Sequence, residues 1–218
     1  MKEMHYLEAK KILESYGIPV VKSGYMTKKT ESAQKSAEIG FPLVMKIDSE
    51  KPIHKSDRGY VKTGIVSVKE IEEVFEQMKE RAEKEEIGFN GVVLQKQLEG
   101  KEAIIGGKRD PQFGPVILFG QGGIFVEIFE DTSLRVAPID QEEAMEMIGE
   151  IKTHEVFTGA RGEKPVDLKK LSETIVKASE VMDENPEIKE MDLNPIIANE
   201  EEAKAVDLRI IKKEEVGK

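Results

Sequence analysis

Apolar and polar positions alternate along the chain with two different periods, one helical and one typical of strands. Runs with helical spacing predict helices at 3–16, 30–40, 68–88, 140–151 and 167–182, and glycine or proline ends the first three of them. Shorter apolar or alternating runs predict strands at 20–25, 43–47, 65–67, 91–96, 102–108, 115–119 and 134–138, with a loop at 48–64. The order indicates a βαβ-type first part followed by a strand-rich middle.

The segment 191–211 has the pattern of a β-hairpin with an acidic turn. If its arms pair antiparallel about residues 200–201, residue 194 falls opposite residue 207. Alternation then places Asp192, Asn194 and Asp207 on one face and the apolar residues on the other. Two carboxylates and an amide oxygen suit Mg²⁺, which prefers oxygen ligands. The same pattern is typical of an amphipathic hairpin with a solvated face, so the hairpin alone leaves both interpretations open.

These elements predict an α+β chain in which two lobes interdigitate and a ligand occupies the cleft between them. No linker or repeat divides the 218 residues. The formal net charge of −10 argues against a nucleic-acid binder, and no apolar run approaches the length that spans a bilayer. The charged first residues do not resemble a signal sequence, which favours a cytoplasmic location. Without cysteine, thiolate chemistry is excluded.

Three segments carry candidate chemistry for an anionic ligand. Lys46 lies within an apolar strand, where a buried ammonium would favour an anion, although a side chain that reaches back to solvent fits the same pattern. The segment 95–102 crosses from one strand to the next, so its backbone could contact a base while Glu102 contacts ribose hydroxyls. Residues 120–123 form a glycine-rich segment that could approach phosphate, and such a segment is also typical of a simple turn.

In this order, the parts resemble the ATP-grasp superfamily, and in detail the ATP-grasp subunit or domain of NDP-forming acyl-CoA synthetases. The resemblance extends from about Glu8 to Ile211. It rests on the segments His54-Lys55-Ser56-Asp57-Arg58-Gly59, Arg109-Asp110-Pro111-Gln112-Phe113-Gly114-Pro115, Gly120-Gln121-Gly122-Gly123-Ile124-Phe125-Val126-Glu127, Gly159-Ala160-Arg161-Gly162 and Asp192-Leu193-Asn194-Pro195. The first segment departs from the family at Tyr60, where a second glycine is usual.

The resemblance implies a single ATP-grasp domain over residues 1–218, with a small lobe at about 19–93 and a larger lobe at about 94–218 plus the N-terminal helix. It also implies a role for each matched residue. Phosphate contacts fall to Lys46, Lys55, Gly122 and Gly123, the adenine hinge to Gln95, Lys96, Gln97 and Leu98, the ribose to Glu102, and Mg²⁺ to Asp192, Asn194 and Asp207. Asn194 and Asp207 match the ligand pair of the related succinyl-CoA synthetases most directly.

The catalytic residue implied by the resemblance is His54, as a carrier of phosphate between a partner subunit and ADP. Imidazole suits this task because a neutral, nucleophilic nitrogen is present near neutral pH. The other two histidines, His5 and His154, are expected to be structural.

The function implied is therefore that of the nucleotide-binding β subunit of an ADP-forming acyl-CoA synthetase, working with a CoA-binding α subunit in a hetero-oligomer. Two alternatives remain at this point. A free-standing ATP-grasp carboxylate ligase would share Lys46, Glu102 and the metal hairpin but would not need His54. A catalytically silent ATP-grasp scaffold is favoured by one feature, Tyr60.

Overall fold

The computed structural model of the chain describes residues 1–49, 59–123 and 131–213. His54 and Lys55 lie outside the described residues. The chain divides into two compact units: a small unit, Val21–Leu98, and a large unit formed by Met1–Val20 together with Glu99–Lys218. Among the helices of the described ranges, none combines the length and the apolar character needed to cross a membrane.

The small unit is built on an antiparallel sheet of four strands in the order β2-β5-β3-β4. Both β2 and β3 pair antiparallel with β5, so β2 and β3 run in the same direction with β5 between them. These are the two strands of the predicted βαβ-type first part. The elements are β2 (Ser23–Met26), α2 (Ser32–Ile39), β3 (Leu43–Asp48), β4 (Val61–Ile65), α3 (Val68–Lys84) and β5 (Gly91–Lys96).

Side-chain hydrogen bonds cap the start of α3. The Ser67 hydroxyl accepts a hydrogen bond from the Glu70 N–H at 3.2 Å, and the Glu70 carboxylate accepts one from the Val66 N–H at 2.7 Å. The predicted strand at 65–67 is therefore wrong, because Ser67 is already the helix cap. The strand lies earlier, at β4, which pairs with β3 inside the predicted loop. Its exposed middle residues hid the alternation.

The large unit contains a sheet of seven strands in the order β1-β11-β9-β6-β7-β8, with β10 paired to β9. Its strands are β1 (Lys2–Glu3), β6 (Lys101–Asp110), β7 (Gly114–Gln121), β8 (Thr132–Val136), β9 (Ile188–Ala198), β10 (Ala203–Ala205) and β11 (Arg209–Lys212). Its helices are α1 (Tyr6–Ser15), α4 (Gln141–Glu150), α5 (Glu155–Thr158) and α6 (Leu168–Glu184). The predicted first helix starts too early, because residues 2–3 pair with β11 instead.

Helices cover one face of the large sheet. Ile105 of β6 and Leu193 of β9 lie opposite each other, are fully buried, and belong to the same core as Ile175 of α6. Because successive strand residues point to opposite faces, Gly106 and its cross-strand partner Asp192 lie on the other face of the sheet. The polar candidates on β6 and β9 are thus kept on the face that the helices leave uncovered.

Candidate functional site

The predicted pairing of the C-terminal hairpin is confirmed. Ala203 of β10 lies opposite Ala198 of β9, and Arg209 of β11 lies opposite Asp192 of β9. The same register therefore holds on both sides of residues 206–208. The Val206 N–H donates to the Pro195 carbonyl at 3.0 Å, which maintains that register where the second arm leaves the sheet. The second arm is therefore two short strands instead of one, and residue 207 lies at the break between them.

Asp192 is the electrostatically distinctive residue of this hairpin. Burial raises the pKa of its carboxyl above the ordinary value, the positive charge of Arg209 opposes the shift, and the negative charge of Asp207 adds to it. Its Oδ1 is buried and has no hydrogen-bond partner within the described ranges. A buried carboxylate oxygen without a partner is costly, so this atom is well suited to a bound cation.

The donor set around Asp192 fits Mg²⁺. Asp207 is half-buried and accepts a hydrogen bond at Oδ1 from the Leu208 N–H at 3.1 Å, and Asn194 is exposed. No group of three or more histidine, aspartate or glutamate side chains arranged for metal binding occurs in the part of the chain that the structure describes. The Asn194 amide oxygen is the third protein ligand expected from the sequence, and water and phosphate would complete the shell of such a cation.

A second polar cluster joins the start of β6 to the end of β7. The strand register brings Glu102 opposite Gly122, whose N–H donates to the Glu102 carbonyl at 2.8 Å. A Cβ atom at Gly122 would lie 2.9 Å from the Glu102 Cβ, and one at Gly123 would lie 3.3 Å from the Glu102 Oε2. A phosphate contact from the Gly122 N–H would have to compete with its bond inside the sheet.

The predicted adenine hinge is fixed by hydrogen bonds within the small unit. The Lys96 ammonium donates to the Phe41 carbonyl. The Gln97 N–H donates to the Pro42 carbonyl at 3.0 Å, and the Gln97 Oε1 accepts a hydrogen bond from the Gly64 N–H at 2.8 Å. These two side chains therefore secure the end of β5 to its neighbours.

Lys46 lies in the middle of β3, between β4 and β5, and its side chain is only 7% exposed. Gln95 is buried one strand away, and Leu98 is half-buried where the small unit ends. An ammonium with this degree of burial needs compensation by negative charge or by hydrogen bonds. In the described part of the small unit, Lys46 is thus a buried cation one strand away from the predicted hinge strand.

Tyr60, where the family usually has glycine, is part of the packing of the small unit. Its ring is fully buried in the core beside Ile71 and Phe75, and the Arg81 guanidinium lies 4.9 Å from the ring centre. A cation over an aromatic face is attracted by the ring quadrupole. This departure is explained by the core and gives no support to the interpretation of a silent scaffold.

Arg209 is a residue of the site that sequence reasoning missed. It lies directly opposite Asp192 and lowers the pKa of that carboxyl against the effect of burial. Its signal was present in the sequence, because the register that pairs 194 with 207 also pairs 192 with 209. A cation bound at Asp192 would therefore lie near the positive charge of the Arg209 guanidinium.

Other prominent residues of the sequence have structural roles. The Arg109 guanidinium donates to the carbonyls of Asn185 and, through Nε, of Ile188, both at 3.0 Å, and so secures the end of α6 to β9. His5 caps α1 by accepting a hydrogen bond from the Leu7 N–H at 3.3 Å, and the His154 ring nitrogen lies 3.2 Å from the Ile151 carbonyl. These bonds support the structural roles expected for both histidines.

The two sheets and the acidic hairpin are the architecture of an ATP-grasp domain. Residues 2–211 match the ATP-grasp domain family, and the chain belongs to that family. The resemblance stated from the sequence is confirmed.

The chain is similar to subunits and structures of ADP-forming and dinucleotide-forming acetyl-CoA synthetases. The chain is 50% identical over 207 residues to the β subunit of the ADP-forming acetate–CoA ligase I of Pyrococcus furiosus, which covers 94% of this chain and 89% of the relative. It is 42% identical to the acetyl-coenzyme A synthetase 1 of Ca. Korarchaeum cryptofilum in complex with coenzyme A and Ca-AMPCP, with a TM-score of 0.93 over 97% of this chain and 94% of the other.

A second structure of the Korarchaeum enzyme holds coenzyme A and Mg-AMPPCP, with a phosphohistidine segment pointing towards the nucleotide-binding site. It matches with 42% identity and a TM-score of 0.85 over 97% of this chain and 93% of the other. A magnesium nucleotide is therefore a ligand of a structural relative.

Proposed function

We propose that this chain is the nucleotide-binding subunit of an ADP-forming acyl-CoA synthetase, which converts acyl-CoA, ADP and phosphate into acid, ATP and CoA. The observation that carries this proposal is the 50% identity to an acetate–CoA ligase β subunit over nearly the full length of both chains. The hairpin supports it as well, because the buried Asp192 Oδ1 has no hydrogen-bond partner in the described ranges and a metal–nucleotide complex would satisfy that oxygen.

Each candidate residue then has a defined task. Asp192, Asn194 and Asp207 hold Mg²⁺, which when bound neutralises phosphate charge during transfer. The Lys46 ammonium pairs with the phosphates from its buried position on β3. The Glu102 carboxylate, exposed at the start of β6, accepts hydrogen bonds from ribose hydroxyls.

His54 carries the phosphoryl group in this proposal. The N–P bond on His54 breaks as an O–P bond to the terminal phosphate of ADP forms, and His54 is itself loaded from a phosphohistidine of the partner. Binding of CoA and formation of the first phosphohistidine belong to an α subunit, in keeping with the naming of the relative as subunit β. The complete reaction thus requires a hetero-oligomer.

The test is reconstitution of the chain with the α subunit and measurement of ATP formation from acetyl-CoA, ADP and phosphate. His54→Ala abolishes ATP formation but retains nucleotide binding, because the imidazole meets only the transferred phosphate. His5→Ala is the matched control, since it removes a histidine that caps α1. Near-normal ATP synthesis by His54→Ala would contradict the role of His54.

The same assay separates the two alternatives. A free-standing ligase would form acyl-CoA or another acyl product without the α subunit and without a phosphorylated histidine. A silent scaffold would bind its partner but show neither turnover nor label from γ-labelled ATP. Either result would overturn the proposed function while leaving the family membership unchanged.

A further inference from the structure

The glycine pair at the end of β7 lies against the side chain of Glu102 and not only beside its backbone. Gly122 faces Glu102 across the strand pair, where a Cβ would come within 2.9 Å of the Glu102 Cβ and 3.1 Å of its carbonyl carbon. Real Cβ contacts are almost never that short, so any larger residue at this position would displace Glu102. The glutamate side chain continues over Gly123, with Oε2 only 3.3 Å from the position of a Cβ there.

Glu102 itself is exposed, and an exposed glutamate ordinarily samples several rotamers. Freedom of this kind must be lost when the carboxylate binds a ligand, which weakens the interaction. Two residues without side chains leave the space in which the carboxylate lies along the strand pair, with Oε2 against Gly123. The missing Cβ atoms therefore have a consequence for binding as well as for packing.

We propose that Gly122 and Gly123 are positioning residues for the Glu102 carboxylate, which they present to the ribose hydroxyls of the nucleotide. This inference rests on the proposed function, and it assigns the pair a role distinct from the expected contact with phosphate. The Gly122 N–H is consistent with that role, since it is already bound to the Glu102 carbonyl at 2.8 Å. The pair then contributes to preference for ribonucleotides over deoxyribonucleotides.

The chain offers matched controls for both glycines. Gly123 and Gly114 both have φ of +80°, so alanine introduces the same left-handed backbone strain at each, but a Cβ at Gly114 meets nothing within 4 Å. Gly149 likewise has open space around a Cβ and serves as the control for Gly122, since neither residue has positive φ.

The experiment measures, by calorimetry on the full chain with Mg²⁺, the ratio of dissociation constants for 2′-deoxy-ADP and 3′-deoxy-ADP relative to ADP. A hydroxyl bound to a carboxylate corresponds to a ratio of about tenfold or more for at least one analogue. Glu102→Ala lowers that ratio to near one. Gly123→Ala and Gly122→Ala lower it to within about threefold of the Glu102→Ala value, whereas Gly114→Ala and Gly149→Ala keep the wild-type ratio.

The outcomes separate this inference from the proposed function. If Glu102→Ala keeps the wild-type ratio, the ribose contact is wrong, and the role of the glycines is wrong with it. If Glu102→Ala loses the ratio while either folded glycine variant keeps it, only the positioning role is overturned. An equal loss in Gly114→Ala would also overturn it, because distant backbone strain would then suffice. Each test variant has its own control, Gly114→Ala for Gly123→Ala and Gly149→Ala for Gly122→Ala. If one test variant misfolds, the other still tests the positioning role.

Discussion

Replacing Asp192 by asparagine should stabilise the metal-free chain while weakening its binding of Mg·ADP. The substitution keeps the size of the side chain and removes its charge. In the wild type, Oδ1 is buried without a hydrogen-bond partner in the described ranges, and burial raises the pKa of the carboxyl, so the charged form is disfavoured in the fold. A buried polar group without a partner costs about 1–3 kcal/mol in proteins, and an uncharged amide carries less of that cost.

The expected gain is about 1 kcal/mol, at the low end of that range, because Arg209 already offsets part of the negative charge. Urea unfolding in EDTA measures the gain, and calorimetry with Mg²⁺ and ADP measures the opposite effect, a loss of affinity of about tenfold or more. Asp183→Asn, at an exposed position of α6, is the matched control and changes neither quantity. Destabilisation of Asp192→Asn in EDTA would refute the reasoning, since it would show that the carboxylate serves the fold.

Three further outcomes follow from the structure. Lys46→Met should weaken binding of ADP by about tenfold and leave adenosine binding nearly unchanged, because it removes a phosphate contact; equal losses by calorimetry would make the lysine structural. Arg109→Lys should lower the free energy of unfolding by about 1–3 kcal/mol, because one ammonium cannot reproduce the forked bonds to the end of α6, and an unchanged urea midpoint would contradict this. The N–H groups of Gln112 and Phe113 lower the pKa of Asp110 from 3.8, so its contribution to stability is present above that value and is lost as pH falls through the lowered pKa. Asp110→Asn should therefore show a shallower loss of stability in acid, and a curve parallel to the wild type would argue against it.

The hairpin was predictable because its acidic turn and the alternation of both arms agree on one register, which the pairs Ala203–Ala198 and Arg209–Asp192 follow. Strand β4 was not, since exposed residues at 62–64 conceal its pairing with β3. The contact of Glu102 with Gly122 and Gly123 was not predictable, because it depends on the register between β6 and β7, which the sequence of neither strand specifies alone. The roles of individual site residues stay predictions, and His54 lies outside the described residues.

The hairpin that carries the candidate metal ligands also contacts the chain at the two points where it leaves and re-enters the large unit. Val20, the last residue before the departure, bridges to Ala205, and the Glu99 carbonyl, at the return, accepts a hydrogen bond from the Asn199 side chain at 3.0 Å. For the large unit, residues 21–98 are therefore a single excursion of the chain whose departure and return are both tied to one hairpin. Loop-closure cost rises only slowly with the length of a flexible loop, by about 0.6 kcal/mol per doubling, so what joins the ends of this excursion at the hairpin is the pair of contacts and not the length of chain between them.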